Sequence, residues 1–201
     1  MGPKSLVSVV DAIYGRRAIR SYEATLLDRS TVTSLLEAAV QAPTAVHEEP
    51  WTFAVVQDRA WLKRISDQAK SLLAQGASGH EQALDAAARA RQRRLADLIA
   101  DPHFNIFYDA STLVAICGKP LSRYVVADCW LAAENLMLMA FALGLGTCPI
   151  GFAIPVLNRP EVKAELGIPA DEEVVAPIIV GVPSGPGSPP GRKPPEIVCW
   201  K

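Results

Sequence analysis

The chain has 201 residues, a formal net charge of −1, and hydrophobic residues at half of its positions, so one domain can bury a sizeable core. Lys and Arg number 20 against 21 Asp and Glu, which excludes a nucleic-acid-binding face, since that needs a clear basic excess. A small anionic ligand held by a few arginines is still compatible with this balance.

Leu6, Val9, Val10 and Ile13 recur at helical spacing and predict an amphipathic opening helix. It runs into Gly15 and the basic cluster Arg16, Arg17 and Arg20. The stretch from Met1 to Asp11 carries no charged leader followed by an apolar run, so no signal peptide is expected. Asp28 is a candidate N-cap for a second helix, with Val32, Leu35, Leu36 and Ala39 on one face and Pro43 as its stop. Trp51 to Val56 is short and rich in β-formers and predicts a strand. Leu62, Ile65, Ala69, Leu72 and Leu73 mark a third helix, broken at Gly76 to Gly79. Glu81 to Ala100 reads as a fourth, more polar helix ended by Pro102.

A second strand is predicted over Thr112 to Cys117, closed by Gly118 and Pro120. Tyr124 to Leu145 has the length of a membrane span, but Asp128, Glu134 and Asn135 interrupt it. A carboxylate near a bilayer centre costs roughly 2.5–3.5 kcal/mol, so the expectation is a helix buried in the protein core. Val174 to Val182 predicts a third strand, with Pro177 marking an edge or a bulge. Pro183 to Gly191 is loaded with Pro, Gly and Ser and predicts a surface loop. The tail from Pro194 to Lys201 carries Ile197, Val198 and Trp200, which predicts packing on its own domain or on a partner subunit. Together these elements make one α+β domain over residues 1–201, with about five helices around a small sheet.

Several chemistries are excluded by missing motifs. There is no G-x-x-x-x-G-K-[ST] phosphate loop and no G-x-S-x-G elbow. Gly144-Leu145-Gly146 lacks a third glycine and follows a helix, where a dinucleotide fingerprint follows a strand. His47, His80 and His103 have no metal spacing, and Cys117, Cys129, Cys148 and Cys199 are dispersed, so no metal site is expected. Dispersed cysteines fit free thiols in a reducing cytoplasm. Any redox chemistry must therefore come from a bound cofactor.

Four segments carry candidate chemistry. Arg16-Arg17-Ala18-Ile19-Arg20-Ser21-Tyr22 reads as a solvated basic turn or as an anion clamp, because Arg forms bidentate bonds to phosphate. Ala42 to Trp51 is an irregular run between a helix and a strand, where binding residues often sit. Gly144 to Gly151 reads as a helix cap plus a turn, or as backbone that can approach a flat ligand. Within it, Cys148 has no identifiable base and reads as a packing residue. Gly191 to Val198 taken alone is a polar tail. Phe104, Asn105, Phe107 and Tyr108 form an aromatic cluster before the second strand, read as an acceptor pocket or as core packing.

Taken in order, these segments resemble the nitroreductase family of flavoproteins. That family opens on an R-R-S-x-R motif and continues with A-P-S-x-x-N-x-Q-P-W-x-F. It then has a long buried helix ending in G-L-G-T and closes on R-K-P-x-x-E-x-V. Here the counterparts are Arg16 to Arg20, Ala42 to Phe53, Asn135 to Gly151, and Arg192 to Val198. The resemblance implies a nitroreductase-like fold with a mixed or antiparallel central sheet, a C-terminal arm reaching a partner, and a cytoplasmic homodimer with active sites at the subunit interface. It implies FMN as cofactor and NAD(P)H as donor, with a nitroaromatic or quinone as acceptor in a ping-pong exchange. Storage or sensing without turnover, and other flavin chemistry such as enone reduction, dehalogenation or flavin fragmentation, stay open on the same scaffold.

Residue by residue, the resemblance places Arg16, Arg17 and Ala18 on the FMN phosphate and ribityl chain, and Arg20 at the pyrimidine edge of the flavin. Pro43, Thr44, Ala45 and His47 would approach from the other subunit. Pro149, Ile150 and Gly151 would lie against the ring, and Arg192 would close on the phosphate. Phe104, Asn105 and Tyr108 are the candidate substrate pocket. The chain departs from the pattern at Ala18, Thr44, His47 and Glu49, where the family has serine, serine, asparagine and glutamine.

Overall fold

Every residue from Thr112 to Gly118 is buried. The reason lies in where the strand sits in the computed structural model, which describes residues 7–76, 86–189 and 191–201. Four strands, β1 (Trp51–Val56), β2 (Thr112–Gly118), β3 (Gly146–Pro149) and β4 (Glu173–Gly181), form one sheet. Their order is β1-β2-β4-β3 and every pair is antiparallel. β2 is thus an inner strand with helices on both faces.

Its side chains alternate between two cores, as the period of two along a strand requires. Leu113, Ala115 and Cys117 join Ile65, Phe107, Val156 and Leu157 on one face. Val114 and Ile116 join Leu35, Leu136 and Ala140 on the other. Each large side chain so buried contributes roughly 1.5–3 kcal/mol.

The helices are α1 (Val9–Gly15), α2 (Arg29–Ala39), α3 (Arg59–Gly76), α4 (Ala86–Ala100), α5 (Val125–Ala142), α6 (Ile154–Leu157) and α7 (Pro160–Leu166). α2 begins where Asp28 accepts the Thr31 N–H at 2.6 Å, and it buries Val32, Leu35 and Ala39. α5 has the length and apolarity of a membrane span. It lies between α2 and the sheet, and its Ala132, Ala133, Leu136 and Ala140 are fully buried, as expected of a core helix.

The α+β class holds, with four differences from expectation. The helices among the described residues number seven rather than about five, because α6 and α7 fill the stretch between β3 and β4. Gly146 to Pro149 forms a fourth strand where a cap and turn were expected. Pro177 sits in an inner strand rather than at an edge. Its missing N–H costs little, because it falls where β3 ends and the Ile150 carbonyl there accepts the Ala153 N–H instead. The register shift lies beside it, opposite Ile116 and Cys117. Finally, α1 turns its apolar residues outward: Val9, Val10 and Ile13 are exposed, and only Ala12 is buried. Leu6 and the segment 77–85, including the expected start of the fourth helix at Glu81, lie outside the described residues.

Candidate functional site

α1 ends at Gly15, where the next residue, Arg16, turns extended (φ −56°, ψ 135°); Phe141 of α5 fills the space beside Gly15, and a β-carbon there would lie 2.3 Å from Phe141 Cζ. The Arg17 guanidinium closes the helix, donating to the Tyr14 carbonyl at 2.5 Å and the Arg16 carbonyl at 2.9 Å. The chain then runs along the sheet edge. Ala18 bridges Thr147 of β3, and the Ile19 N–H donates to the Thr147 carbonyl at 2.9 Å. On its other side the segment meets the loop after β4. Tyr22 bridges Pro183, Glu23 N–H donates to the Val182 carbonyl at 2.9 Å, and Ser184 N–H donates to the Ser21 carbonyl at 3.1 Å.

Two of the four sequence segments are therefore brought into contact. The Pro183–Gly191 loop does more than cover surface, because its first half clamps the arginine segment. Between these parts lies a cavity of about 610 Å³ lined by Arg16, Arg17, Gly144, Thr147 and Gly187, among others.

Arg16 is the notable group here. Its Nε is buried and has no hydrogen-bond partner; the Glu134 carboxylate of α5 stands 3.4 Å away without completing a hydrogen bond. A buried N–H of a guanidinium rarely goes without an acceptor. With Arg17 and backbone at the same cavity, the donor set fits an anionic phosphate group such as that of FMN.

Cys148 follows in β3, buried. Burial pushes its thiol up, while the charges of Arg20 and Arg16 oppose the shift. It packs as a small residue and is not held as a thiolate. At the end of β3, Ile150 is buried and donates to the Pro177 carbonyl at 2.8 Å, while Gly151 is exposed with nothing within 4 Å of where its β-carbon would be.

The Pro43–His47 segment does not line this cavity. It holds a 3-10 turn, Ala45–His47, with left-handed backbone at Val46 (φ 45°), His47 (φ 57°) and Glu49 (φ 45°). Such conformations are strained for residues other than glycine and cluster at functional loops. Asp128 of α5, buried, anchors the turn by accepting the Ala45 N–H at 3.3 Å on each carboxylate oxygen. Arg192 is exposed and is not part of the cavity wall, and the tail with Ile197, Val198 and Trp200 is exposed as well.

The aromatic cluster splits in two. Phe107 is fully buried, and Asn105 is buried with its amide bonded to Phe107 N–H and to Asp109. Asn105 thus serves its own turn. Tyr108 stands beside Arg20, whose guanidinium carbon is 6.0 Å from the ring centroid. Sequence reasoning assigned no role to Tyr22, Glu134, Thr147 or Asp128. Asp128 and Glu134 left a trace, as carboxylates inside an apolar helix, where a buried one requires a partner.

Residues 13–182 match the family model described as the nitroreductase family. The chain is 32% identical over 181 residues to the 5,6-dimethylbenzimidazole synthase of Rhodospirillum rubrum, covering 87% of this chain and 82% of that protein. It is 26% identical over 203 residues to the NADH dehydrogenase of Thermus thermophilus, covering 92% of each. Its fold matches a nitroreductase with bound FMN from Bacteroides fragilis with a TM-score of 0.73 and 25% identity, over 96% of this chain and 97% of that one.

Proposed function

Because the chain belongs to the nitroreductase family, we propose that it is an FMN-dependent oxidoreductase of the cytoplasm that takes reducing equivalents from NAD(P)H and passes them to a small acceptor such as a nitroaromatic or a quinone. The observation that carries the reading is the buried, unpartnered Arg16 Nε at a cavity built from the arginine segment and β3. FMN, when bound, supplies the two-electron chemistry, so donor and acceptor can use one face in turn.

In this reading Arg16, Arg17 and the Ala18 backbone hold the phosphate and ribityl chain. Arg20 is the fixed cation that stabilises negative charge at the pyrimidine edge on reduction. Pro149, Ile150 and Gly151 bound the ring. The partner's copy of Pro43, Thr44, Ala45 and His47 completes the site, and Arg192 closes on the phosphate. Phe104 and Tyr108 border the acceptor side.

A homodimer is supported by the apolar side chains that one chain leaves in water. These are Val9, Val10 and Ile13 on α1, Trp130 and Leu131 on α5, and Ile197, Val198 and Trp200 in the tail. An apolar set of this size is expected to be covered by a second subunit.

The test is the absorption spectrum of the purified protein, followed by steady-state NAD(P)H oxidation with a quinone. A yellow protein whose released chromophore is FMN, turning over with ping-pong kinetics, is the expected result. A colourless protein that takes up no FMN overturns the reading. The similarity to a 5,6-dimethylbenzimidazole synthase favours a second reading, different flavin chemistry on the same site. A flavin-loaded dimer that oxidises no nicotinamide donor would overturn the first reading and leave this one and storage without turnover.

A further inference from the structure

Two consecutive residues before β2, Tyr108 and Asp109, have left-handed backbones with φ of 51° and 56°. Asp tolerates this conformation, but a bulky aromatic residue adopts it only under constraint. The constraint is visible. Tyr108 N–H donates to the Asn105 carbonyl at 2.8 Å, and Ala110 N–H donates to the Phe107 carbonyl at 3.0 Å. The Asn105 side chain accepts the Phe107 N–H at 2.9 Å and donates to Asp109 at 2.8 Å.

The strained turn gives two adjacent aromatic residues of one core different degrees of burial. Phe107 enters the core fully buried. Tyr108, half-buried against the same core, also stands against the Arg20 guanidinium, with Phe104 edge-on to it at a centroid distance of 5.5 Å. No carboxylate pairs with Arg20 among the described residues. Its other neighbours here, Tyr22 and Cys148, are held in their neutral forms by burial. The ring therefore holds the cation without neutralising it.

We propose that Tyr108 is a positioning residue for Arg20: its ring face fixes the guanidinium beside the site, so that the full positive charge is presented to whatever gains electrons there. The inference rests on the FMN reading given above. A fixed cation favours reduced FMN over oxidised FMN. Arg20 is exposed, so without the ring the guanidinium is no longer held in one orientation and that preference weakens.

The experiment compares FMN-loaded wild type with Tyr108→Leu, Tyr108→Phe, Arg20→Ala and the double variant Arg20→Ala/Tyr108→Leu. It measures the two-electron midpoint potential of bound FMN and the dissociation constant of oxidised FMN. Tyr108→Leu is expected to lower the preference for reduced FMN about 2–5-fold, the scale of an exposed cation–π contact. At 29.6 mV per tenfold, this is a fall of about 9–21 mV. Tyr108→Phe keeps the ring but loses the hydroxyl that Arg20 also meets, so its potential falls less than that of Tyr108→Leu. Adding Tyr108→Leu to Arg20→Ala produces no further fall.

A Tyr108→Leu potential equal to wild type, or full additivity in the double variant, overturns the inference while leaving the flavin reading intact. A wild type that takes up no FMN overturns both. A second readout needs no variant at Tyr108. The Arg20 δ-protons, assigned by comparison with Arg20→Lys, should show an upfield ring-current shift in wild type, and its absence also overturns the inference.

Discussion

Ile19 occupies the space that a side chain on Gly146 would need: a β-carbon there would lie 2.7 Å from Ile19 Cγ1 and 2.8 Å from its Cβ. The same side chain closes off Gly187, where a β-carbon would meet Ile19 Cδ1 at 2.7 Å. One isoleucine is thus held between two glycines more than forty residues apart, and it seats the arginine segment on the sheet edge. Gly146→Ala should force the segment outward. Overpacking of this kind costs roughly 1–3 kcal/mol, measurable by urea unfolding, and it should weaken FMN binding as Arg16 moves. Gly151→Ala is the control for stability alone, because nothing lies within 4 Å of its β-carbon. Equal stability loss in both variants would remove Ile19 from the explanation.

Asp128 links α5 to the strained loop through the Ala45 N–H. Asp128→Ala leaves that donor without its acceptor, at a cost of roughly 1–3 kcal/mol. Asp128→Asn keeps an acceptor oxygen and should lose less. The proposed cross-subunit role of the loop adds a second readout: FMN affinity should fall with stability in Asp128→Ala. Wild-type stability in that variant would show the contact to be unimportant.

Arg16 and Glu134 should act on FMN in opposite directions. Arg16→Ala removes a charge-assisted contact worth roughly 1.5–3 kcal/mol, so FMN titration should show a tenfold or greater loss. Glu134→Gln removes the carboxylate 3.4 Å from Arg16 Nε, and binding should tighten. Arg192→Ala should weaken binding in the dimer on the same scale as Arg16→Ala, and an unchanged affinity would take Arg192 out of the site.

Asp28 makes one part of the stability dependent on pH. The Thr31 backbone N–H, then the Ser30 and Thr31 side chains, hold its carboxyl below the usual carboxylate range. A carboxyl depressed in the folded state stabilises above its unfolded value, near pH 4, and that contribution is lost as pH falls through the folded value. Asp28→Ala should therefore lower Tm at pH 7, with the gap to wild type shrinking below about pH 4. A gap that stays constant down to pH 2 would contradict the capping account.

The sequence by itself determined the elements whose pattern is local. Asp28 announced α2, the β-formers from Trp51 announced β1, and the apolar run at Thr112 announced β2, because caps and periodicity are properties of neighbouring residues. It also marked Asp128 as an anomaly without saying what it holds. What only the tertiary structure decided are the relations between distant residues. Gly146 to Pro149 is four residues long and flanked by turn formers, and it becomes a strand only because β4 offers an open edge. The pattern of α1 foretold an apolar face but not that it would look outward, since hydrophobicity records what avoids water and not which surface covers it. Arg16 to Arg20 read equally well as a solvated turn until Ala18 was found paired with Thr147. That pairing, across more than a hundred residues of chain, turns a basic run into the wall of a cavity.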